Sequence, residues 1–132
     1  MAALSDAKTK NAGFNEEENW VTVSYDFSND TGAVADYDVL TAGEDLVITD
    51  FYAEIETACT SGGSAVMDLG VGAADTTIWS DKAVGDLTIG SVHAMDTAVP
   101  FKLASAGKIV FGIETAALTA GKINFNFKYK RM

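Results

Sequence analysis

From Trp20 to the C-terminus, apolar residues recur at every second position in run after run, and no segment sustains a 3.6-residue period. The last run is the clearest: Ile123, Phe125, Phe127 and Tyr129 oppose Asn124, Asn126, Lys128 and Lys130. Alternation of this kind gives a strand one apolar face for a core and one polar face for water. A chain built from such runs buries its apolar faces only by stacking two sheets or by closing one sheet on itself.

Earlier runs repeat the pattern. In residues 20–27, Val21, Val23, Tyr25 and Phe27 share a face, and the turn formers of residues 28–32 (SNDTG) reverse the chain. Ala35, Tyr37 and Val39 then oppose Asp36 and Asp38. From Leu46 to about Cys59, Val47, Thr49, Phe51, Ala53, Ile55 and Thr57 oppose Ile48, Asp50, Tyr52, Glu54 and Glu56. That run is long for a strand and predicts a bend or bulge midway.

Ser61 to Ser64 read as a hairpin turn, with Ala65, Met67, Leu69 and Val71 facing inward on the return strand. Residues 76–79 and 87–92 read as short strands, Phe101 and Leu103 as a brief one, and a few residues around 81–84 admit helix. Ile109, Phe111 and Ile113 precede a turn over residues 116–122. The expectation is an all-β, single-domain β-sandwich or jelly roll of about eight or nine antiparallel strands, spanning residues 20–132, with a closed barrel as the alternative.

Residues 1–19 stand apart. They are polar, end in Glu16, Glu17 and Glu18, and hold only Leu4 and Phe14 as large apolar residues. They read either as a frayed terminus or as an arm that orders on a neighbouring subunit with Phe14 as anchor.

The formal net charge of −10 disfavours binding to nucleic acid or to an anionic membrane, both of which need accumulated Lys and Arg. The charge is uneven: Lys122, Lys128, Lys130 and Arg131 make the last eleven residues purely basic. These four read as a small docking patch or as solubilising residues on an edge strand. No apolar run approaches a membrane span, and the N-terminus lacks a signal-peptide pattern, so folding in a cytosolic environment is expected.

Chemistry-bearing residues are sparse. One histidine, His93, and one cysteine, Cys59, exclude an intramolecular disulfide and leave a zinc site short of ligands. Cys59 reads as a small half-buried hydrophobe, and nothing in the spacing pairs it with His93. Asp68 and Asp75 flank glycines without the ligand spacing of a calcium loop, and Asp68 reads as a solvent-facing residue. Glu54 and Glu56 share a strand face with Cβ atoms about 7 Å apart, a spacing that suits an acid and base pair but equally an ordinary polar face. Gly70 and Gly72 make no dinucleotide fingerprint. Trp20 and Trp79 read as packing residues first, and as stacking platforms for a sugar second. No catalytic site, cofactor or metal is expected.

Two stretches carry a resemblance. Residues 37–79 (YDVLTAGEDLVITDFYAEIETACTSGGSAVMDLGVGAADTTIW) and 108–129 (KIVFGIETAALTAGKINFNFKY) resemble small tailed-phage virion structural proteins of the head decoration, or capsid cement, type. The resemblance covers about half the chain. It implies a jelly-roll or β-sandwich domain, made in the host cytoplasm, that sits as a homotrimer on the outer surface of the head. Its implied partner is the major capsid protein, and the implied role is non-enzymatic stabilisation of the shell. A tail or head-fibre domain that recognises a host glycan is the competing reading. Leu4, Phe14, Trp20, Lys128, Lys130 and Arg131 are the candidate partner-binding residues.

Overall fold

The computed structural model of the protein describes residues 19–72, 76–95 and 100–132. Among these residues nine strands run in the order β1 (Asn19–Asp26), β2 (Ala35–Thr41), β3 (Leu46–Ser61), β4 (Val66–Val71), β5 (Trp79–Ala83), β6 (Val92–His93), β7 (Phe101–Leu103), β8 (Lys108–Glu114) and β9 (Leu118–Arg131). One helical turn, α1 (Phe27–Asp30), follows β1, and a 3₁₀ turn (Val84–Asp86) follows β5. No helix among the described residues is long and apolar enough to cross a membrane.

The strands form two antiparallel sheets, in the orders β1-β9-β3-β6 and β2-β8-β4-β5, with β7 beside β6 on the same edge of β3. Setting the short β7 aside, this alternation between sheets is the strand order of a jelly roll. The sandwich expectation is met. The expectation of an edge position for the basic final strand is not: β9 is interior, paired with β1 on one side and β3 on the other.

The core is largely an aromatic column between the sheets. Phe51 packs on Phe127 at 5.1 Å between ring centroids, Trp79 on Phe125 at 5.9 Å, and Phe111 on Phe125 at 5.4 Å. Such pairs add about 1 kcal/mol each beyond area burial. Trp79 is fully buried, and its indole Nε1 donates to the Ala94 carbonyl at 3.0 Å, which satisfies its one polar atom.

Bulges reset the alternation where the sequence seems continuous. β3 slips register against β9 between Ile48 and Asp50, so Leu46 and Ile48 are buried in the first half and Phe51, Ala53 and Ile55 in the second. The bulge was expected, but its effect corrects the predicted face, which grouped Val47 and Thr49 with Phe51. A second irregularity around Thr57 leaves that residue exposed and buries Cys59. In β2 a shift between Asp38 and Leu40 turns both Val39 and Leu40 inward.

Residues 87–92 do not form the expected strand. Gly90 adopts φ +80, and the segment touches β3 at separated points, Leu87 O to Cys59 N, Gly90 N to Ile55 O and Ser91 O to Ile55 N, with regular pairing beginning only at Val92 opposite Glu54. After β1, the Asp26 carboxylate accepts from Ser28 N at 3.0 Å and caps α1, so the turn predicted over residues 28–32 begins as one helical turn.

Gly121 lies over Cys59 with φ +145, and a Cβ placed there would sit 2.6 Å from Cys59 Sγ. Gly121→Ala is therefore expected to cost about 2 kcal/mol through steric overlap and backbone strain. Adding Cys59→Ala to Gly121→Ala is expected to recover part of that loss. Urea unfolding of the two single variants and the double variant checks the coupling.

Candidate functional site

The outward face of the β1-β9-β3 sheet carries the exposed aromatic residues and most of the predicted partner-binding side chains. Alternation on β1 turns Trp20, Thr22 and Ser24 outward, opposite Lys128, Asn126 and Asn124 of β9. On the other side of β9, Asp50, Tyr52 and Glu54 face the same three residues. Trp20 is 47% exposed and meets Tyr52 edge-on at 5.5 Å, with Lys128 Nζ 5.9 Å from its ring. Trp20 is thus not a core residue, whereas Trp79 is; the aromatic platform open to a ligand is the former.

Below this pair the face is held by a cross-strand ladder. Thr22 Oγ1 donates to Asn126 Oδ1 and Ser24 Oγ to Asn124 Oδ1, both at 2.6 Å. Asn126 Nδ2 reaches the Tyr52 carbonyl at 3.4 Å, and Asn126 is buried although it lies on the predicted water face.

The basic end of the chain is interleaved with acids. Lys122 Nζ lies 3.5 Å from Glu56, Arg131 Nε lies 2.9 Å from Glu44, and Lys128 stands opposite Asp50. These half-exposed pairs add about 0–1 kcal/mol each, so their main effect is to balance charge locally. Lys130 is exposed near the end of β9, opposite Val47 of β3. Leu4 and Phe14 lie outside the described residues, as does Asp75.

Glu54 and Glu56 border a shallow depression of about 280 Å³ with Gly90 and Asn124. The Glu56 carboxyl is held below the ordinary carboxylate range, first by the hydrogen bond from Asn124 Nδ2 at 3.0 Å and then by the Lys122 charge. That direction is opposite to what a general acid needs. Cys59 and His93 are not brought together: His93 pairs with Ala53, six positions and about 20 Å along β3 from Cys59. Burial pushes the Cys59 thiol up to about 11, the behaviour of a packing residue rather than a nucleophile.

One cluster escaped the sequence reading. Asp68, expected in water, is buried on β4, and its Oδ1 accepts from Asp81 N at 2.8 Å. Carboxylate oxygens of Asp68, Asp81 and Glu114 all lie within 4.8 Å of one another. The burial follows from two features invisible in the alternation. β4 slips against β5 between Met67 and Leu69, and Asp68 pairs with Gly112 of β8, which offers no side chain to hold it off. An oxygen set like this suits a hard cation, and Glu114 and Asp68 also stand within hydrogen-bonding reach of each other.

The Glu114 carboxyl is pushed above the ordinary range, first by its hydrogen bond to Asp68 and then by the Asp68 charge. A raised folded-state pKa makes the protonated form the stabilising one. Its contribution is complete below the unfolded-state value and is lost as pH rises through the folded-state value. Melting temperatures of wild type and Glu114→Gln, measured from about pH 4 upward, are expected to diverge, because only wild type loses this increment.

No protein-family model matches the chain, and no curated protein sequence does. Among solved structures, a chain in the cyanophage Pam1 capsid asymmetric unit is similar in fold, with a TM-score of 0.66 and 13% identity. The match covers 97% of this chain and 96% of that chain. At that identity the likeness is one of fold.

Proposed function

We propose that this chain is a non-enzymatic structural component of a phage virion, seated on the outer surface of the head as a decoration protein. The observation that carries this reading is the fold match, which runs nearly end to end with a chain of a phage capsid assembly. The match involves the whole length of both chains, so the two share an architecture rather than one common motif. Geometry supports a role by binding alone: the one histidine and the one cysteine are apart, and Glu56 is held ionised beside Lys122.

In this reading the major capsid protein is the partner, the chain acts as a homotrimer, and residues 1–19 form an arm that reaches a neighbouring subunit. Binding energy collected over several contacts resists expansion of the shell, and no chemical step is involved.

A second reading is favoured by one observation. Trp20 and Tyr52 form an exposed aromatic pair on a flat face rich in amide and carboxylate groups, the chemistry that stacks and hydrogen-bonds a sugar. Here the chain is a tail or head-fibre domain that binds a host glycan.

Co-sedimentation with purified heads separates the two. A decoration protein binds at fixed stoichiometry, and deletion of residues 1–19 weakens the binding. Its mass in solution is expected to be about three times the 13.9 kDa chain. For a glycan binder, Trp20→Ala abolishes sugar binding while the fold persists. Trp79→Ala is not a test of recognition, because loss of the buried indole is expected to cost about 3–5 kcal/mol of stability.

A further inference from the structure

On one side of the sandwich two strand edges are free of partners among the described residues. β1 ends the order of one sheet and β2 ends that of the other. Between them lies a cleft of about 470 Å³, walled by Val23 and Tyr25 of β1 and by Tyr37 and Val39 of β2, with Phe111 and Phe125 behind. Clefts that take ligands span roughly 300–1,000 Å³, so this one admits a large side chain.

Rings form its back and part of its walls, beside Ser24 and the acids Asp30, Asp36 and Asp38. Tyr25 and Tyr37 meet at 5.7 Å and Tyr25 and Phe111 at 5.2 Å. Both tyrosine hydroxyls are already engaged, Tyr25 with the Thr31 carbonyl at 2.5 Å and Tyr37 with the Ala33 carbonyl at 2.8 Å. An apolar side chain against these rings therefore leaves both hydroxyls with their partners.

The edge of β2 adds a charge pattern. Alternation over Ala35–Asp38 points Tyr37 into the cleft and turns Asp36 and Asp38 to the outer face, where the Asp36 carboxylate lies over Gly112. Asp38 shares its charge with Lys108 Nζ at 3.0 Å. Asp30 stands at the mouth, close enough that its charge adds to burial in raising the Tyr25 pKa. Among the described residues, no cation pairs with Asp30 or Asp36.

We propose that the free edge of β2 accepts an extended segment of a partner protein in which basic and apolar residues alternate. A strand added there places one side chain opposite Tyr37, into the cleft, and its two flanking side chains opposite Asp36 and Asp38. Opposite charges in cross-strand positions favour Lys or Arg at the flanks, and the aromatic lining selects an apolar residue between them. A second copy of this chain does not supply such a segment from its described strands. The one that alternates in this way, Phe127 to Lys130 of β9, is already paired on both sides. The proposal stands on the edge and the cleft, independent of the head-decoration reading.

The test is an NMR titration of the ¹⁵N-labelled full chain with the peptide acetyl-Thr-Arg-Val-Arg-Thr-amide. The control peptide carries neutral citrulline in place of both arginines. The expected result is saturable shifts at the amides of residues 35–38, with affinity lowered about tenfold or more by citrulline. The double substitution Asp30→Asn and Asp36→Asn is expected to weaken binding of the arginine peptide similarly, with an otherwise unchanged spectrum that shows the fold intact. Equal binding of the two peptides, shifts confined to another face, or no shifts would overturn the proposal. So would contacts from residues 1–18 to β2 in the free protein, because the edge would then already be filled.

Discussion

Strand β9 is hydrogen-bonded along both edges, and the rest of the sandwich is arranged around it. It pairs with β1 from Lys122 to Tyr129 and with β3 from Leu118 to Arg131. Its inward side chains Ile123, Phe125, Phe127 and Tyr129 are all buried, and Phe125 touches Phe51, Trp79 and Phe111, which come from both sheets. Outward, Asn124 and Asn126 bind hydroxyls of β1, a carboxylate and a carbonyl of β3. A slip of one residue would turn Lys128 and both asparagines into the aromatic column. The two faces therefore fix a single register from opposite sides.

This is also why β9 was the most legible element. Over Lys122–Tyr129, β9 pairs with β1 without a bulge and keeps strict alternation, and its sequence shows it. Legibility fails where an element's geometry depends on its neighbour. The slip between Ile48 and Asp50 leaves an alternating sequence unchanged to the eye while it exchanges the faces of Val47 and Ile48. Residues 87–91 carry strand-like composition, but Gly90 at positive φ breaks their run, and they bond to β3 only at the separated positions Ile55 and Cys59 before β6 begins at Val92.

The same distinction runs through the surface residues. Trp20 and Trp79 are indistinguishable by type, and their separation into exposed platform and core came only with the partners of β1 and β5. Asp68 alternates with apolar neighbours like any solvent-facing acid. Its burial needs Gly112 across one edge and the β4–β5 bulge across the other, two facts that no local reading of residues 66–71 contains. The basic C-terminal run misled in the opposite sense. Its charges are real, but β3 and the Glu44 turn supply acids against them.

The charge of −10 is therefore not spread evenly over the two outer faces. On the β1-β9-β3 face, Lys122 of β9 lies 3.5 Å from Glu56 of β3 and Lys128 stands opposite Asp50, and opposite charges that close cancel within the roughly 8 Å screening length at physiological salt. On the other face, Asp36, Asp68 and Glu114 follow β2, β4 and β8, with Asp81 beside them on β5. Asp68 raises the Glu114 pKa, first through their hydrogen bond and then through its charge, so the acids there are close enough to act on one another. A partner approaching from a distance thus meets one nearly balanced face with an aromatic pair and one acidic face beside an open strand edge. The first offers shape and stacking, the second opposite charge, so the two outer faces are chemically distinct surfaces.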